Sequence, residues 1–322
     1  MAGTLGARRL GEDRIPVRIR QARLEAEGVV SLDFEPLAGA LPGWSAGAHI
    51  DVVLPSGTIR QYSLCGAVGA DNFRIAVLRQ ENGRGGSREV HDNLRVGQVV
   101  EISAPRNTFA LEPAERYFFV AGGIGITPIL PMIDAAVAAG ADWHLVYGGR
   151  NAWSMAFAEA LRARDPERVE LRTDDRDGPL DVAALCAGSA EAKVYACGPQ
   201  GLLDALEAAF AEAGRASDLH LERFAAVAKA LPDDGSVRVH LARSGGHVDV
   251  PPDQTILAAL QAQGIAVPCS CEQGFCGTCE TRVLAGAPDH RDDLLSDEER
   301  ARGDVMLPCV SRAKGRELTL DL

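Results

Sequence analysis

No run of apolar residues in the 322-residue sequence is long enough to cross a membrane, and no apolar leader with a cleavage site opens it. The expectation is a cytoplasmic protein without a membrane partner. Positive charge is in deficit, with 33 Lys and Arg against 45 Asp and Glu and a net charge of −12. That balance argues against nucleic acid as a partner. It suits docking on a basic protein, and it suits simple solubility equally. Aromatic residues make up only 5%, beside 46% hydrophobic residues, as in a soluble globular enzyme. The dinucleotide fingerprint G-x-G-x-x-G is missing. So is any spacing of two His and a carboxylate that would make an oxygen-activating iron site. The length exceeds one ordinary core and implies two or three domains. The first stretch, MAGTLGARRLGE (1–12), reads as a tail.

Cysteine, by contrast, is concentrated. Four of the eight cysteines lie in PCSCEQGFCGTC, at Cys269, Cys271, Cys276 and Cys279, and Cys309 follows in MLPCVSRA. In a reducing compartment such a cluster points to a metal rather than to disulfides. Zinc sites pair one C-x2-C with a second pair or with histidines, and neither is present. From Cys271 the spacing is C-x4-C-x2-C, with Cys309 distant, which is the plant-type [2Fe–2S] pattern. Two bridged irons need four thiolates converging from a tight loop and one remote anchor. Gly274 and Gly277 let the loop turn closely, so that its amides can reach the cluster sulfurs. The predicted ligands are Cys271, Cys276, Cys279 and Cys309, with a potential on the order of −400 mV. Cys269 is then spare, and Cys65 and Cys186 are small packed residues.

The flanking sequence extends this reading. SVRVHLARSGGHVDV holds two alternating strands around a Ser-Gly-Gly turn, and Asp253 precedes a short helix, TILAALQAQG, closed by Gly264. Residues 236–322 resemble the β-grasp domain of plant-type ferredoxins. DHRDDLLSDEER, 289–300, resembles the helix-leading segment before the last ligand of such domains. Glu272, Asp289, Asp292 and Asp293 are candidates for a docking face near the cluster, or are solvated carboxylates.

A ferredoxin needs about a hundred residues, so the rest must supply electrons. A nicotinamide gives two together and the cluster takes one, so a flavin is expected between them. Residues 13–112 are rich in short alternating strands and read as an antiparallel barrel. Arg60-Gln61-Tyr62-Ser63-Leu64 resembles the R-x-Y-S-[LT] motif of ferredoxin-reductase flavoproteins. Arg60 suits a flavin phosphate. Tyr62 can pack on the ring, and the Ser63 hydroxyl can bond its reacting edge. Read alone, the motif is equally a strand with a polar face. Asn82-Gly83-Arg84-Gly85-Gly86-Ser87 is a Gly-rich turn opening a helix, which is an anion site. With Arg60 it implies a terminal phosphate, hence FMN rather than FAD.

Residues 113–226 alternate strand and helix patterns, as in a doubly wound parallel sheet. Gly122-Gly123-Ile124-Gly125-Ile126-Thr127-Pro128 follows the first strand, where a pyrophosphate can sit. Cys197-Gly198-Pro199 ends a later strand, at the edge where such sheets bind ligands. Asp174 and Asp175, at another strand end, would repel a 2′-phosphate, whereas Arg150 would welcome one. The balance favours NADH over NADPH. Residues 227–235 read as a linker.

In order and in motifs, nearly the whole chain resembles the phthalate dioxygenase reductase family, reductases of the vanillate O-demethylase type included. The resemblance implies a multidomain fold: flavin-binding β-barrel, α/β NAD-binding domain and C-terminal ferredoxin. It implies that Ala76, Val77 and Leu78 present backbone groups to the flavin, and that Thr127 lies near it. It implies that Phe224 covers the ring and that Cys197 lies beside the nicotinamide. The activity implied runs from NADH to FMN to [2Fe–2S] to a separate terminal oxygenase, of the Rieske non-haem iron type, acting on an aromatic acid or aryl methyl ether. Alternatives are a cytochrome P450 acceptor, or a redox sensor that turns nothing over. Replacing Cys276 with Ser is expected to abolish electron delivery to the partner while NADH still bleaches the flavin. Full coupled turnover in that variant would contradict the relay order.

Overall fold

The computed structural model describes residues 14–81, 85–224, 235–269, 272, 274, 277–292 and 294–322. They belong to two compact units, one within residues 13–224 and one within 225–322. The expected linker lies, except for Gly235, outside the described residues.

The first unit begins with six strands: β1 (Ile15–Ala26), β2 (Val29–Pro36), β3 (His49–Val53), β4 (Ile59–Ser63), β5 (Phe73–Leu78) and β6 (Val99–Ile102). One helix, α1 (Gly86–Asn93), interrupts them. The sheet order is β4-β3-β6-β1-β2-β5, with every pairing antiparallel. Its two edges meet through a Leu64–Ile75 bridge, and the Cys65 amide donates to the Arg74 carbonyl at 2.8 Å. That contact closes the sheet into the expected barrel. Alternation does the sorting: Val17, Ile19, Leu32, Phe34, Ile50 and Val52 fill the interior. Outside, Arg74 clasps Asp33 on the neighbouring strand with bonds of 2.5 and 2.9 Å. Strand β6 carried no distinct expectation. Its pattern is only four residues long.

The rest of this unit is a parallel sheet of β7 (Arg116–Gly122), β8 (Asp142–Gly149), β9 (Val169–Thr173), β10 (Lys193–Cys197) and β11 (Leu219–Glu222). The helices are α2 (Ile126–Ala138), α3 (Ala158–Arg164), α4 (Asp174–Asp177), α5 (Val182–Gly188) and α6 (Gln200–Glu212). The order β11-β10-β7-β8-β9 is doubly wound, with its switch point between β7 and β10. Phe119, Leu145 and Tyr147 face the core under α2, and Phe118, Val120 and Val146 face α5 and α6. AWSMAFAEALRAR (152–164) carries a continuous helical pattern, but the chain splits it into a 3-10 turn at Ala152–Ser154 and α3. Phe157, with φ of 63°, sits between them in the left-handed region and prevents one continuous helix.

The second unit holds β12 (Val237–Leu241), β13 (His247–Val250), α7 (Ile256–Ala262), β14 (Thr281–Ala285), β15 (Pro288–Asp289), α8 (Asp297–Arg302), β16 (Val305–Met306), β17 (Arg312–Ala313) and β18 (Glu317–Leu320). The order β13-β12-β18-β14-β16 puts the last strand in the centre, parallel to β12. Helix α7 lays Ile256, Leu257 and Leu260 on this mixed sheet. Its cap is Thr255, whose hydroxyl accepts from the Ala258 amide at 3.0 Å, rather than the expected Asp253. Helix α8 carries a reciprocal Ser296–Glu299 capping box.

Gly47 holds the barrel to the segment that leads out of it. Its φ is 91°, and a Cβ there would lie 1.9 Å from the Phe109 carbonyl oxygen. Gly47→Ala is therefore expected to cost about 2–4 kcal/mol through backbone strain and overpacking. Thermal unfolding checks this, with a fall of roughly 5–15 °C in the transition of this unit.

Candidate cofactor and electron-transfer site

Strand β4 carries Arg60, Gln61, Tyr62 and Ser63 at the barrel's closing edge. The stem of Arg60 lies against Gly86, where a Cβ would come within 2.6 Å of both Arg60 Cγ and Nε. Gly86 is the first residue of α1, and Gly85 before it has φ of 87° and caps no amide with a side chain. A helix N-terminus with no capping side chain, set beside a guanidinium, is a phosphate cradle. A larger residue at Gly86 would fill it. Ser87 accepts from the Gln80 amide at 3.1 Å and draws the turn closed. Gly83 and Arg84 lie outside the described residues. Burial pushes the Tyr62 phenol above its ordinary range, so it is a neutral packing surface. The Gln61 amide nitrogen is buried without a hydrogen-bond partner among the described residues. The cradle, the half-buried phenol and this unsatisfied donor fit a bound FMN.

Ala76, Val77 and Leu78 end β5, whose outer edge pairs, among the described residues, with no strand beyond the Leu64–Ile75 bridge. The Val77 carbonyl is engaged by His91 Nε2 at 2.9 Å, which ties α1 to this edge. Phe224 follows β11 and is 39% exposed.

At the switch point two turns touch backbone to backbone. A Cβ on Gly125 would lie 2.2 Å from the Cys197 carbonyl oxygen, and one on Gly122 would lie 2.5 Å from Pro199 Cδ. A Cβ on Gly198 would lie 3.0 Å from the Cα and N of Gly122, and Gly123 has φ of 54°. These glycines leave the mouth between β7 and β10 lined by main chain, as a pyrophosphate requires. Thr127 is buried, and its hydroxyl donates to the Ile124 carbonyl at 3.0 Å, so it braces the turn. Asp174 begins α4 on the surface, and the Asp175 amide donates to the Arg150 carbonyl at 3.2 Å. The opposed signals for the 2′ position thus occupy one neighbourhood.

Sequence reasoning missed Glu222. It ends β11, beside Cys197 in the parallel register, and Ser63 Oγ donates to its Oε2 at 3.5 Å. The residue keeps some surface, but its carboxyl is enclosed, and burial pushes its pKa up to about 8 against the small opposing pull of the Ser63 hydroxyl. Burial, then Glu222, push the Cys197 thiol well above its ordinary range. Cys197 is therefore a neutral thiol and no thiolate nucleophile. Arg223 fixes this strand end through ion pairs to Asp204 at 2.6 Å and Glu207 at 3.0 Å on α6. The Ser63–Glu222 bond joins the barrel to the α/β sheet, with Cys197 beside Glu222 on the neighbouring strand. The sequence signal for Glu222 was one acidic residue in HLERF, two positions before the aromatic already singled out.

In the second unit Cys279 and Cys309 are each only 2% exposed. Gly274 and Gly277 have φ of 81° and 71°. Cys271 and Cys276 lie outside the described residues. A sheltered thiol on a loop built on left-handed glycines, and a second on the remote anchor, fit a [2Fe–2S] cluster in donor chemistry. Cys269 accepts from Gln261 Nε2 on α7 at 3.2 Å. Cys65 and Cys186 are buried. Asp292 is a correction: it is 2% exposed, neither a docking-face residue nor a solvated one. Its carboxylate accepts from the Leu294 and Leu295 amides, which folds it inward. Asp289 pairs with Arg291 at 2.8 Å, Glu272 is exposed, and Asp293 lies outside the described residues.

Comparison with known proteins agrees with this architecture. Residues 239–314 match the 2Fe-2S iron-sulfur cluster binding domain, and residues 119–208 match the oxidoreductase NAD-binding domain. The chain is 47% identical over 318 residues to a vanillate O-demethylase oxidoreductase of Pseudomonas sp. (strain HR199 / DSM 7063), covering 96% of this chain and all of the relative. The structure of phthalate dioxygenase reductase superposes with a TM-score of 0.73 at 35% identity, covering 96% of this chain and 98% of that one. An intact type IV self-sufficient cytochrome P450 monooxygenase gives a TM-score of 0.80 at 41% identity, and 96% of this chain spans 41% of that structure's length. Among the described residues no helix is long and apolar enough to cross a membrane.

The Glu222 carboxyl sets a pH dependence. Its folded pKa of about 8 exceeds the ordinary 4.5, so the folded state keeps a proton that the unfolded chain releases. Stability is lost as pH rises through this window. Glu222→Gln is expected to be less sensitive, so that its melting temperature gains on the wild type between pH 5 and pH 8.5. Parallel decline of both proteins would contradict the buried, protonated carboxyl.

Proposed function

The chain belongs to the phthalate dioxygenase reductase family, and we propose that it is the reductase component of an oxygenase system whose terminal component is a Rieske-type non-haem iron protein. It is an NADH-dependent iron–sulfur oxidoreductase with FMN and a plant-type [2Fe–2S] cluster. Bound in their sites, these groups supply in turn a two-electron donor, a converter from paired to single electrons, and a one-electron carrier. The chain's own residues do the rest. Arg60, Gly85, Gly86 and Ser87 hold the flavin phosphate. Gly122, Gly123 and Gly125, with Gly198 and Pro199, hold the pyrophosphate, and Asp174 favours the free ribose hydroxyl of NADH. Cys271, Cys276, Cys279 and Cys309 ligate the cluster. Ser63, Cys197 and Glu222 form a neutral, water-poor contact between the two reacting rings, with Phe224 covering the flavin. Glu222 holds its proton below about pH 8, so no fixed charge opposes transfer there.

The observation that carries this reading is the contact from Ser63 on the barrel to Glu222 on the α/β sheet. It brings together two halves that the sequence names separately. The likeness to a self-sufficient P450 favours a haem acceptor as the second reading. The test supplies the full chain and NADH to an isolated Rieske oxygenase of the vanillate or phthalate type and, separately, to a P450 under carbon monoxide. Reduction of the Rieske centre with no haem–CO band supports the proposal. Reduction of the haem alone moves the acceptor to the P450. Absence of turnover even with cytochrome c would make the protein a sensor.

A further inference from the structure

Beneath the cluster loop lies a buried polar network with no part in the relay as described. The Asp292 side chain is fully enclosed. Its Oδ2 accepts from the Leu295 amide at 2.8 Å and the Leu294 amide at 3.3 Å. Its Oδ1 accepts from Ser311 Oγ at 3.3 Å and lies 3.7 Å from His290 Nδ1. Arg300, reaching back from α8, donates to the Asp292 carbonyl at 2.6 Å and stands 3.8 Å from Oδ2. The two amides, the Ser311 hydroxyl and the Arg300 guanidinium all donate to Asp292, which suits an acceptor-only side chain. Burying a carboxylate is costly unless it is satisfied in this way.

The network also touches both arms of the predicted ligand set. Ser311 stands two residues after Cys309, in a turn whose Val310 and Ser311 amides both donate to the Leu307 carbonyl. Gly274 lies in the cysteine loop. A Cβ on it would come within 3.1 Å of Asp292 Cα, 3.3 Å of Asp292 Cβ and 2.6 Å of Val310 Cγ2. A Cβ on Gly277 would come within 2.8 Å of Leu294 Cδ2. The loop therefore rests on the segment that Asp292 folds, and the turn that follows the remote anchor is bonded to the same carboxylate through Ser311.

We propose that Asp292 is a positioning residue for the iron–sulfur cluster, which fixes the cysteine loop against the Cys309 turn and sets the cluster's reduction potential through a buried negative charge. The proposal rests on the reading that Cys271, Cys276, Cys279 and Cys309 hold a [2Fe–2S] cluster. Net charge and hydrogen bonding around the sulfurs set the potentials of such centres. A fixed negative charge disfavours adding an electron, and a nearby guanidinium favours it. Asp292 and Arg300 therefore act with opposite sign.

The test is a spectroelectrochemical titration of the full chain, with iron and sulfide content assayed and the reduced cluster recorded by electron paramagnetic resonance. Asp292→Asn is expected to raise the midpoint potential by a tenfold change in the one-electron equilibrium, ~59 mV. Arg300→Gln is expected to lower it. Opposite shifts with intact cluster content support the proposal, because mere loosening of the loop has no reason to respond to the sign of the charge removed. Unmoved potentials, or shifts in one direction, overturn it. Should Asp292→Asn lose its cluster, the Arg300→Gln variant decides: a lowered potential supports the proposal, and an unchanged or raised one overturns it. A wild-type protein without iron and sulfide would overturn the cluster reading, and the proposal with it.

Discussion

Two turns pressed backbone to backbone at the switch point of the parallel sheet govern what this protein can do. The Gly122–Gly125 turn and the Cys197–Pro199 turn approach so closely that a single Cβ on Gly125 would overlap the Cys197 carbonyl. Glycine is required there by contact, and the same contact strips the mouth of side chains. A dinucleotide can then lie on main-chain amides rather than on a fitted pocket. The thiol of Cys197 is fixed by the same turn, at the strand end that faces the barrel. The proposed cofactor site and reacting site both follow from this one packing constraint.

The barrel answers this constraint from the other side. Closure of its sheet at Leu64–Ile75 places Ser63 at the seam, and β11 ends with Glu222 in reach of it. Desolvation does the rest. A carboxyl enclosed here keeps its proton, and a thiol beside it stays neutral. Transfer between a nicotinamide and a flavin needs close rings and little water more than it needs a charged catalyst. The Arg223 ion pairs to α6 lie just outside, and keep the strand end from opening.

Local chemistry was legible in the sequence, and tertiary chemistry was not. Cysteine spacing declared the iron–sulfur domain because cluster geometry dictates spacing along a loop. Arg60 to Ser63 and the glycines after Asn82 form recognisable patterns for the same reason: the residues of each motif are neighbours in sequence. Glu222 was invisible because its significance is burial against Ser63, 159 positions away. Asp292 misled because an acidic residue in DHRDDLL reads as solvated, whereas two amides and a hydroxyl fold it inward. The N-cap of α7 fell to Thr255 over Asp253 because the pattern allowed either, and the chain turned at the later residue. Phe157 broke a well-patterned helix through a backbone angle that no pattern encodes.

The central claim is that one chain takes electrons in pairs from NADH and holds them singly at a second centre. An anaerobic absorbance titration with NADH tests it most directly. The account predicts that flavin and iron–sulfur bands bleach together, with more electrons taken up than the flavin alone can hold. Bleaching of the flavin with no change at the cluster bands would contradict it.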